Sequence, residues 1–173
     1  MPTQALGVLF HELGIHPDYG LHPRLATYRE ATRLEAIGPN IIGRPQQLTP
    51  DTAAAWRSLV ARAAEDAVQL LPVSGFRSID YQAELIRNKL RGGQHIDDIL
   101  KVNVAPGYSQ HHTGDAIDIA TPGSKPLLEE FELTDAFAWL TRHAGEFGFE
   151  MSYARDNVEG LNYEPWHWYR SKA

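Results

Sequence analysis

Apolar residues recur at three- and four-residue spacing in several stretches, and the residues flanking each stretch mark its ends. Trp56, Leu59, Val60, Ala63, Ala64, Ala67 and Leu70 predict a helix that Thr49 caps and Pro50 opens, since proline fits the first helical position. Ile79, Ala83, Ile86 and Leu90 predict another, capped by Ser78 and stopped at Gly92-Gly93. Phe137, Trp139, Leu140, Ala144 and Phe147 predict a third, starting at Thr134 or Asp135. Leu25, Tyr28, Thr32, Leu34 and Ile37 form an imperfect apolar side between Pro23 and Gly38-Pro39, which predicts a helix there too. Residues 95–100 add one helical turn.

Strand patterns are shorter and lie mostly in the second half. Leu70–Phe76 reads as a strand running into a loop, with Pro72 placing it at a sheet edge, because proline cannot donate to a ladder. A polar loop follows Pro106-Gly107 as far as Gly114, and Ala116-Ile-Asp-Ile-Ala120 reads as a strand with one carboxylate inside it. Gly148 to Gly160 has hairpin character, and Trp166–Tyr169 reads as the last strand. With no repeat and no second hydrophobic unit, these elements predict one α+β domain over 1–173. Residues 1–49 form an N-terminal extension packed on a core at 70–170.

Composition narrows the class without naming a chemistry. At 43% hydrophobic and 22% charged residues, a disordered or coiled-coil chain is excluded. Sixteen basic against 22 acidic residues, with no basic block, leave no electrostatic footprint for nucleic acid or anionic lipid. The absence of cysteine removes thiolate nucleophiles and Cys-type metal sites. No stretch reaches the ~20 apolar residues of a membrane span. The N-terminus shows no basic region followed by a hydrophobic one, so no export signal is expected. That agrees with a cytoplasmic location, or a periplasmic or extracellular one for a trimmed or phage-type protein.

Three segments place polar residues where burial is costly: Ser74–Ser78, Ser109–Asp118 and Tyr163–Trp168. An ionised Asp118 inside an apolar strand needs a cation, a metal or several donors, and His167 between two tryptophans poses the same demand. Two imidazoles from His111 and His167 with the Asp118 carboxylate would hold zinc and leave a position open, as catalytic sites require. Glu164 precedes His167 by three residues; strict strand alternation would turn the two apart, so Glu164 and Pro165 belong in the loop entering the strand. Spacing alone leaves alternatives open. His111 and His167 also read as satisfied core or loop histidines, Asp118 as a turn cap or a partner of Arg77, and Arg77 as a solvent-facing residue. His112 diverges from His111 and lies outside the ligand set, while His11, His16, His22 and His95 read as surface residues. Trp166 and Trp168 suit either a cleft wall or the core.

At these residues the chain resembles the zinc D-alanyl-D-alanine peptidases of the VanY/VanX type, which share a metal-site fold with the Hedgehog signalling domain. The resemblance rests on Ser74-Gly75-Phe76-Arg77-Ser78 with Gln82, on Ser109 through Asp118, and on Glu164-Pro165-Trp166-His167, in that order. It implies a small antiparallel sheet with flanking helices and one zinc ion per chain on His111, Asp118 and His167. It implies Glu164 as the catalytic carboxylate, Arg77 as a contact to substrate carboxylate or carbonyl oxygen, and Gln82 and Ser109 near the substrate. After His167 the family commonly continues x-Arg-Tyr, whereas Trp168-Tyr169-Arg170 transposes the last two, so no cleft role carries over to Arg170.

The implied activity is a zinc D,D-carboxypeptidase acting on peptidoglycan stem peptides or their precursors, with no obligate protein partner. Two alternatives stand beside it: an endopeptidase of the same chemistry that cuts L-alanyl-D-glutamate or cross-link bonds, and a zinc-containing peptide-binding module without turnover. A cleft open at both ends would favour the endopeptidase.

Overall fold

Helix α1 (Gln4–Leu13) begins the computed structural model, which describes residues 4–172. A hairpin of β1 (Glu35–Pro39) and β2 (Pro45–Leu48) leads into α2 (Pro50–Glu65), then β3 (Leu71–Ser74), α3 (Ile79–Arg91) and α4 (Ile96–Val102). After a 3-10 turn at Gln110–Thr113 come β4 (Ala116–Ala120), α5 (Asp135–His143), β5 (Phe149–Met151) and β6 (His167–Arg170). Four strands form one sheet in the order β3-β4-β6-β5, every neighbour antiparallel. This is the expected α+β architecture, with Pro72 on an edge strand and β4 at the centre.

Alternation along β4 divides its side chains between core and site. Ile117 and Ile119 join the main core with Leu48, Leu59, Trp139 and Trp168, between the sheet and helices α2 and α5. Asp118 points the other way. A second apolar cluster ties α1, α3 and α4 together through Phe10, Leu13, Ile86, Ile99 and Tyr108. The chain passes from Tyr108 in that cluster to Ile117 in the main core through the segment that carries His111. Each Leu or Ile so buried contributes about 1.5–3 kcal/mol, so both ends of that segment are anchored.

The helix predicted over 23–37 does not form. Residues 25–34 run as an irregular strap: Leu25 N–H bonds locally to Gly20, while Tyr28 N–H reaches Gly107 at 2.8 Å and Ala31 N–H reaches His112 at 2.8 Å. Glu35–Pro39 is strand β1. Long-range bonds to the 107–112 loop have replaced the local ladder that an imperfect apolar side could barely support.

Two further expectations change in detail. Helix α2 starts at Pro50 as predicted, but it stops at Glu65, and the Thr49 hydroxyl makes no cap bond. That hydroxyl donates instead to Asp115. Residues 148–160 hold no hairpin of their own: β5 pairs with β6, and the segment between them is the loop that brings Glu164 to the site.

Asp115 fixes the start of α2 against the start of β4. Its Oδ1 accepts from the hydroxyls of Thr49 and Thr52, the latter at 2.7 Å, and its side chain is almost fully buried. Asp115→Ala strands both buried hydroxyls, and hydrogen bonds to charged acceptors are worth about 1.5–3 kcal/mol. A loss of at least that size is expected in urea unfolding, with Asp115→Asn retaining part of it. Equal midpoints for Asp115→Ala and the parent would remove this account.

Candidate functional site

The sheet register places Asp118 opposite His167 on the neighbouring strand. His111 arrives from the 3-10 turn ahead of β4, whose geometry is local. The Ser109 Oγ accepts from His111 N–H at 3.2 Å, and Gly114, at φ +70°, ends the turn. A Cβ at Gly114 would meet Leu34 and Thr49 at 3.1 Å, so only glycine closes this loop against α2. Gly75 is equally constrained, because a Cβ there would lie 2.6 Å from the Gln47 carbonyl.

The three donor atoms, one from each of His111, Asp118 and His167, lie within 4.8 Å of one another, and all three residues are buried. His111 Nδ1 donates to the Gly75 carbonyl at 2.7 Å, and His167 Nε2 donates to Gln110 Oε1 at 2.7 Å. These bonds leave His111 Nε2 and His167 Nδ1 turned toward Asp118 Oδ1, at 3.2 Å and 3.1 Å. Burial, then the Arg77 guanidinium, lower the His111 imidazole to about 4. Burial works to raise the Asp118 carboxyl, and the facing histidines outweigh it and hold it well below the usual range. Three ligand atoms thus converge in a buried place, and a divalent cation is what such a set of two imidazoles and a carboxylate fits.

Glu164 stands in the loop before β6, its N–H bonded to the Tyr153 carbonyl at 3.0 Å and its carbonyl closing the turn onto His167 N–H. Its Oε2 is 3.8 Å from His167 Nδ1. Burial raises this carboxyl to about 7; Asp118 adds to the rise, and His167 and Arg77 pull against it.

Arg77, Gln82, Ser109, Tyr153 and Glu164 surround a cavity of about 30 Å³ beside His111 and His167. Two side-chain atoms buried at its wall have no hydrogen-bond partner among the described residues: Arg77 Nε and Gln82 Oε1. Gln82 has spent its Nε2 on the Val104 carbonyl at 2.8 Å, which turns the amide oxygen into the unpaired end. The Arg77 guanidinium approaches Asp118 only to 3.8 Å. An unpaired buried donor and an unpaired buried acceptor lining one cavity cost about 1–3 kcal/mol each, and a ligand bearing the complementary groups would recover it.

Thus His111, Asp118, His167, Glu164, Arg77, Gln82 and Ser109 all meet at one place. His112 stays outside the donor set: its Nδ1 donates to the Arg77 carbonyl at 2.7 Å and its Nε2 accepts from Gly107 N–H at 3.0 Å. His11, His16, His22 and His95 are exposed. Trp168 is core, Trp166 packs on it, and Arg170 donates to the Phe147 carbonyl away from the cavity.

Sequence reasoning missed Gln110 and Tyr153. Gln110 holds the His167 tautomer and also accepts from Ser152 at 2.7 Å. The Tyr153 ring lies 4.8 Å from the His167 ring and helps close the cavity. Gln110 has no signal in its own neighbourhood, because its partners lie 42 and 57 residues away, and Tyr153 meets His167 only through the loop that joins β5 to β6.

The sequence profile of the VanY family, D-alanyl-D-alanine carboxypeptidase, matches residues 45–171. The putative carboxypeptidase YodJ of Bacillus subtilis (strain 168) is 30% identical over an alignment 127 residues long that covers 68% of this chain and 44% of that protein. The LdcB LD-carboxypeptidase structure is 27% identical with a TM-score of 0.66, covering 83% of this chain and 65% of that one. A mutant of the D,D-pentapeptidase VanY in complex with Zn(II), 24% identical, shares the fold with a TM-score of 0.62, covering 80% of this chain and 78% of that one. The chain therefore spans less than half the length of YodJ and about two thirds of LdcB. With the profile covering most of its length, this chain belongs to the VanY family of D-alanyl-D-alanine carboxypeptidases.

Proposed function

We propose that this protein is a zinc-dependent D,D-carboxypeptidase that removes the terminal D-alanine from peptidoglycan stem peptides or their precursors. The observation that carries the reading is the pair of unpartnered buried atoms, Arg77 Nε and Gln82 Oε1, in a small cavity next to the His111, Asp118 and His167 donors. A C-terminal residue supplies both complements: its carboxylate accepts from Arg77, and its N–H donates to Gln82. The family membership and the zinc-bound VanY relative support the metal and the substrate class.

Zinc on these three donors would supply Lewis acidity toward water and the scissile carbonyl. Glu164 accepts a proton from the attacking water and hands it to the leaving amine, so one carboxylate serves as base and then as acid. Its raised pKa, about 7, suits both tasks near neutrality. The Ser109 hydroxyl accepts from the His111 N–H and donates to nothing among the described residues, which leaves its proton for the substrate.

D-Alanine release from D-alanyl-D-alanine-ending peptides, with zinc present and after chelation, tests the reading. Products cut only at internal bonds would overturn it in favour of an endopeptidase, and binding without turnover in the zinc-loaded protein would favour the non-catalytic module. The likeness to LdcB favours a second reading, in which the bond cut joins an L-residue to D-alanine. Peptides ending in L-Lys-D-Ala and in D-Ala-D-Ala separate the two. Arg77→Ala is expected to raise KM for free-acid peptides about tenfold or more while leaving C-terminal amides little changed, because the lost pairing requires the carboxylate. Equal losses on acid and amide would instead assign Arg77 to the scissile carbonyl.

A further inference from the structure

On the other side of Arg77 and Asn103 from the small cavity lies a groove of about 660 Å³, which Asp118 also touches. The turn of the β1–β2 hairpin forms one wall and α3 another. The volume falls in the ~300–1,000 Å³ range of ligand sites. If the small cavity takes the residue that leaves, this groove faces the acyl side of the scissile bond.

The lining is amphipathic in a specific way. Ile41, Ile42, Tyr81 and Leu127 are 39%, 67%, 45% and 45% exposed, and all four line this one groove. Leu127 is held at φ +58°, a conformation that leucine rarely adopts and that marks a constrained position at the rim. The charge is one-sided. Arg44, Arg77 and Lys89 line the groove, and among the described residues the only carboxylate there is Asp118, already committed to the two histidines. Arg44 makes no ion pair among the described residues, and the Lys89 ammonium donates to the neutral Asn103 Oδ1 at 2.5 Å. Lys89 is half-buried and Arg44 is exposed at the rim; a half-buried cation with no facing carboxylate, and a second cation beside it, favour an anionic occupant.

We propose that this groove binds the acyl part of an extended peptide that carries a side-chain carboxylate, with Lys89 and Arg44 as the residues that read the carboxylate and the apolar rim holding the peptide stem. The inference rests on the D,D-carboxypeptidase reading for its polarity, and it adds that the substrate is an acidic peptide. It also gives the hairpin, which lies mostly outside the matched 45–171, a role in selecting substrate.

The test uses the zinc-loaded full chain and the matched peptides acetyl-Glu-Glu-D-Ala-D-Ala and acetyl-Gln-Gln-D-Ala-D-Ala, which differ only in charge. D-Alanine release gives KM and kcat, and calorimetry gives binding of the two acyl products, acetyl-Glu-Glu-D-Ala and acetyl-Gln-Gln-D-Ala. Two partly exposed ion pairs predict a KM about tenfold lower for the Glu peptide with similar kcat, and the same preference in product binding. In the double variant Lys89→Gln/Arg44→Gln both preferences should fall to near one. The ratio between the peptides is the readout, so a general loss of activity does not imitate this result, and circular dichroism checks the fold. Equal KM values and equal product binding in the parent would overturn the inference, as would a preference that survives in the double variant. Absence of D-alanine release, with the Glu product still bound in preference through Lys89 and Arg44, would sink the carboxypeptidase reading and leave the acidic-peptide groove standing. No release and no preference would remove both.

Discussion

Glu164→Ala is expected to keep the fold and the zinc while losing most of the turnover, about 10²–10⁴-fold, the range that a single general acid-base group commonly supplies. The separation follows from position. Glu164 lies in the loop before β6, apart from the three converging donors, yet its Oε2 reaches to 3.8 Å from His167 Nδ1. The same burial gives a second, independent readout in the metal-free protein. A carboxyl that rises from 4.5 to about 7 on folding keeps a proton that the unfolded chain releases. Folding stability should therefore be fully retained below pH 4.5 and decline as pH climbs toward 7, the opposite of a salt-bridged carboxylate. Glu164→Gln removes that decline and should be the more stable protein at pH 8. Undiminished turnover in Glu164→Ala would remove the mechanism. A parent and Glu164→Gln pair with parallel pH–stability curves would show that the carboxyl is not held in the protonated form.

The elements that could be read from sequence are those whose stabilisation is local. Helix α3 announces itself through Ser78, whose Oγ accepts from Tyr81 N–H, and through the glycines that end it. Pro50 fixes the start of α2 whatever Thr49 does with its hydroxyl. The failures are elements whose partners are distant. Residues 25–34 carry a helical spacing of apolar side chains, yet their amides serve Gly107 and His112 about 80 residues on, and nothing between Pro23 and Gly38 signals that demand. Likewise the β5 segment looked like half of a hairpin because its true partner, β6, lies beyond a loop of irregular sequence.

The same division runs through the site. Asp118 and His167 stood out because a charge or an imidazole in an apolar strand is expensive, and the register then sets them opposite each other. His112, although adjacent to His111, was separable because successive side chains diverge, and it proves to bridge the Arg77 carbonyl and the Gly107 amide. Gln110 carries no such cost signal. It sits between a capping serine and a histidine in a turn, and only the fold brings its amide to His167 Nε2. The polar walls of the groove, Arg44 and Lys89, come from a hairpin and a helix whose meeting the sequence does not encode locally.

Asp118→Asn is expected to abolish tight zinc binding while leaving the metal-free protein folded. In the metal-free protein Asp118 Oδ1 lies 3.2 Å from His111 Nε2 and 3.1 Å from His167 Nδ1. An asparagine in the same place keeps polar atoms within hydrogen-bond reach of both ring nitrogens in a volume that is nearly unchanged. For the metal the substitution is costly, since the lost carboxylate supplied the only negative charge among the ligands. Ligand linkage makes both halves visible in one measurement. A ligand at a thousand times its Kd stabilises the folded state by about 4 kcal/mol, so added zinc should raise the melting temperature of the parent strongly and that of Asp118→Asn hardly at all. A conservative substitution at the neighbouring histidine, His112→Gln, provides the contrast: it disturbs the Arg77 carbonyl and lowers stability, but it keeps the zinc-dependent rise because His112 contributes no donor to the set. Zinc stabilisation that survives in Asp118→Asn but disappears in His112→Gln would move the metal away from His111, Asp118 and His167.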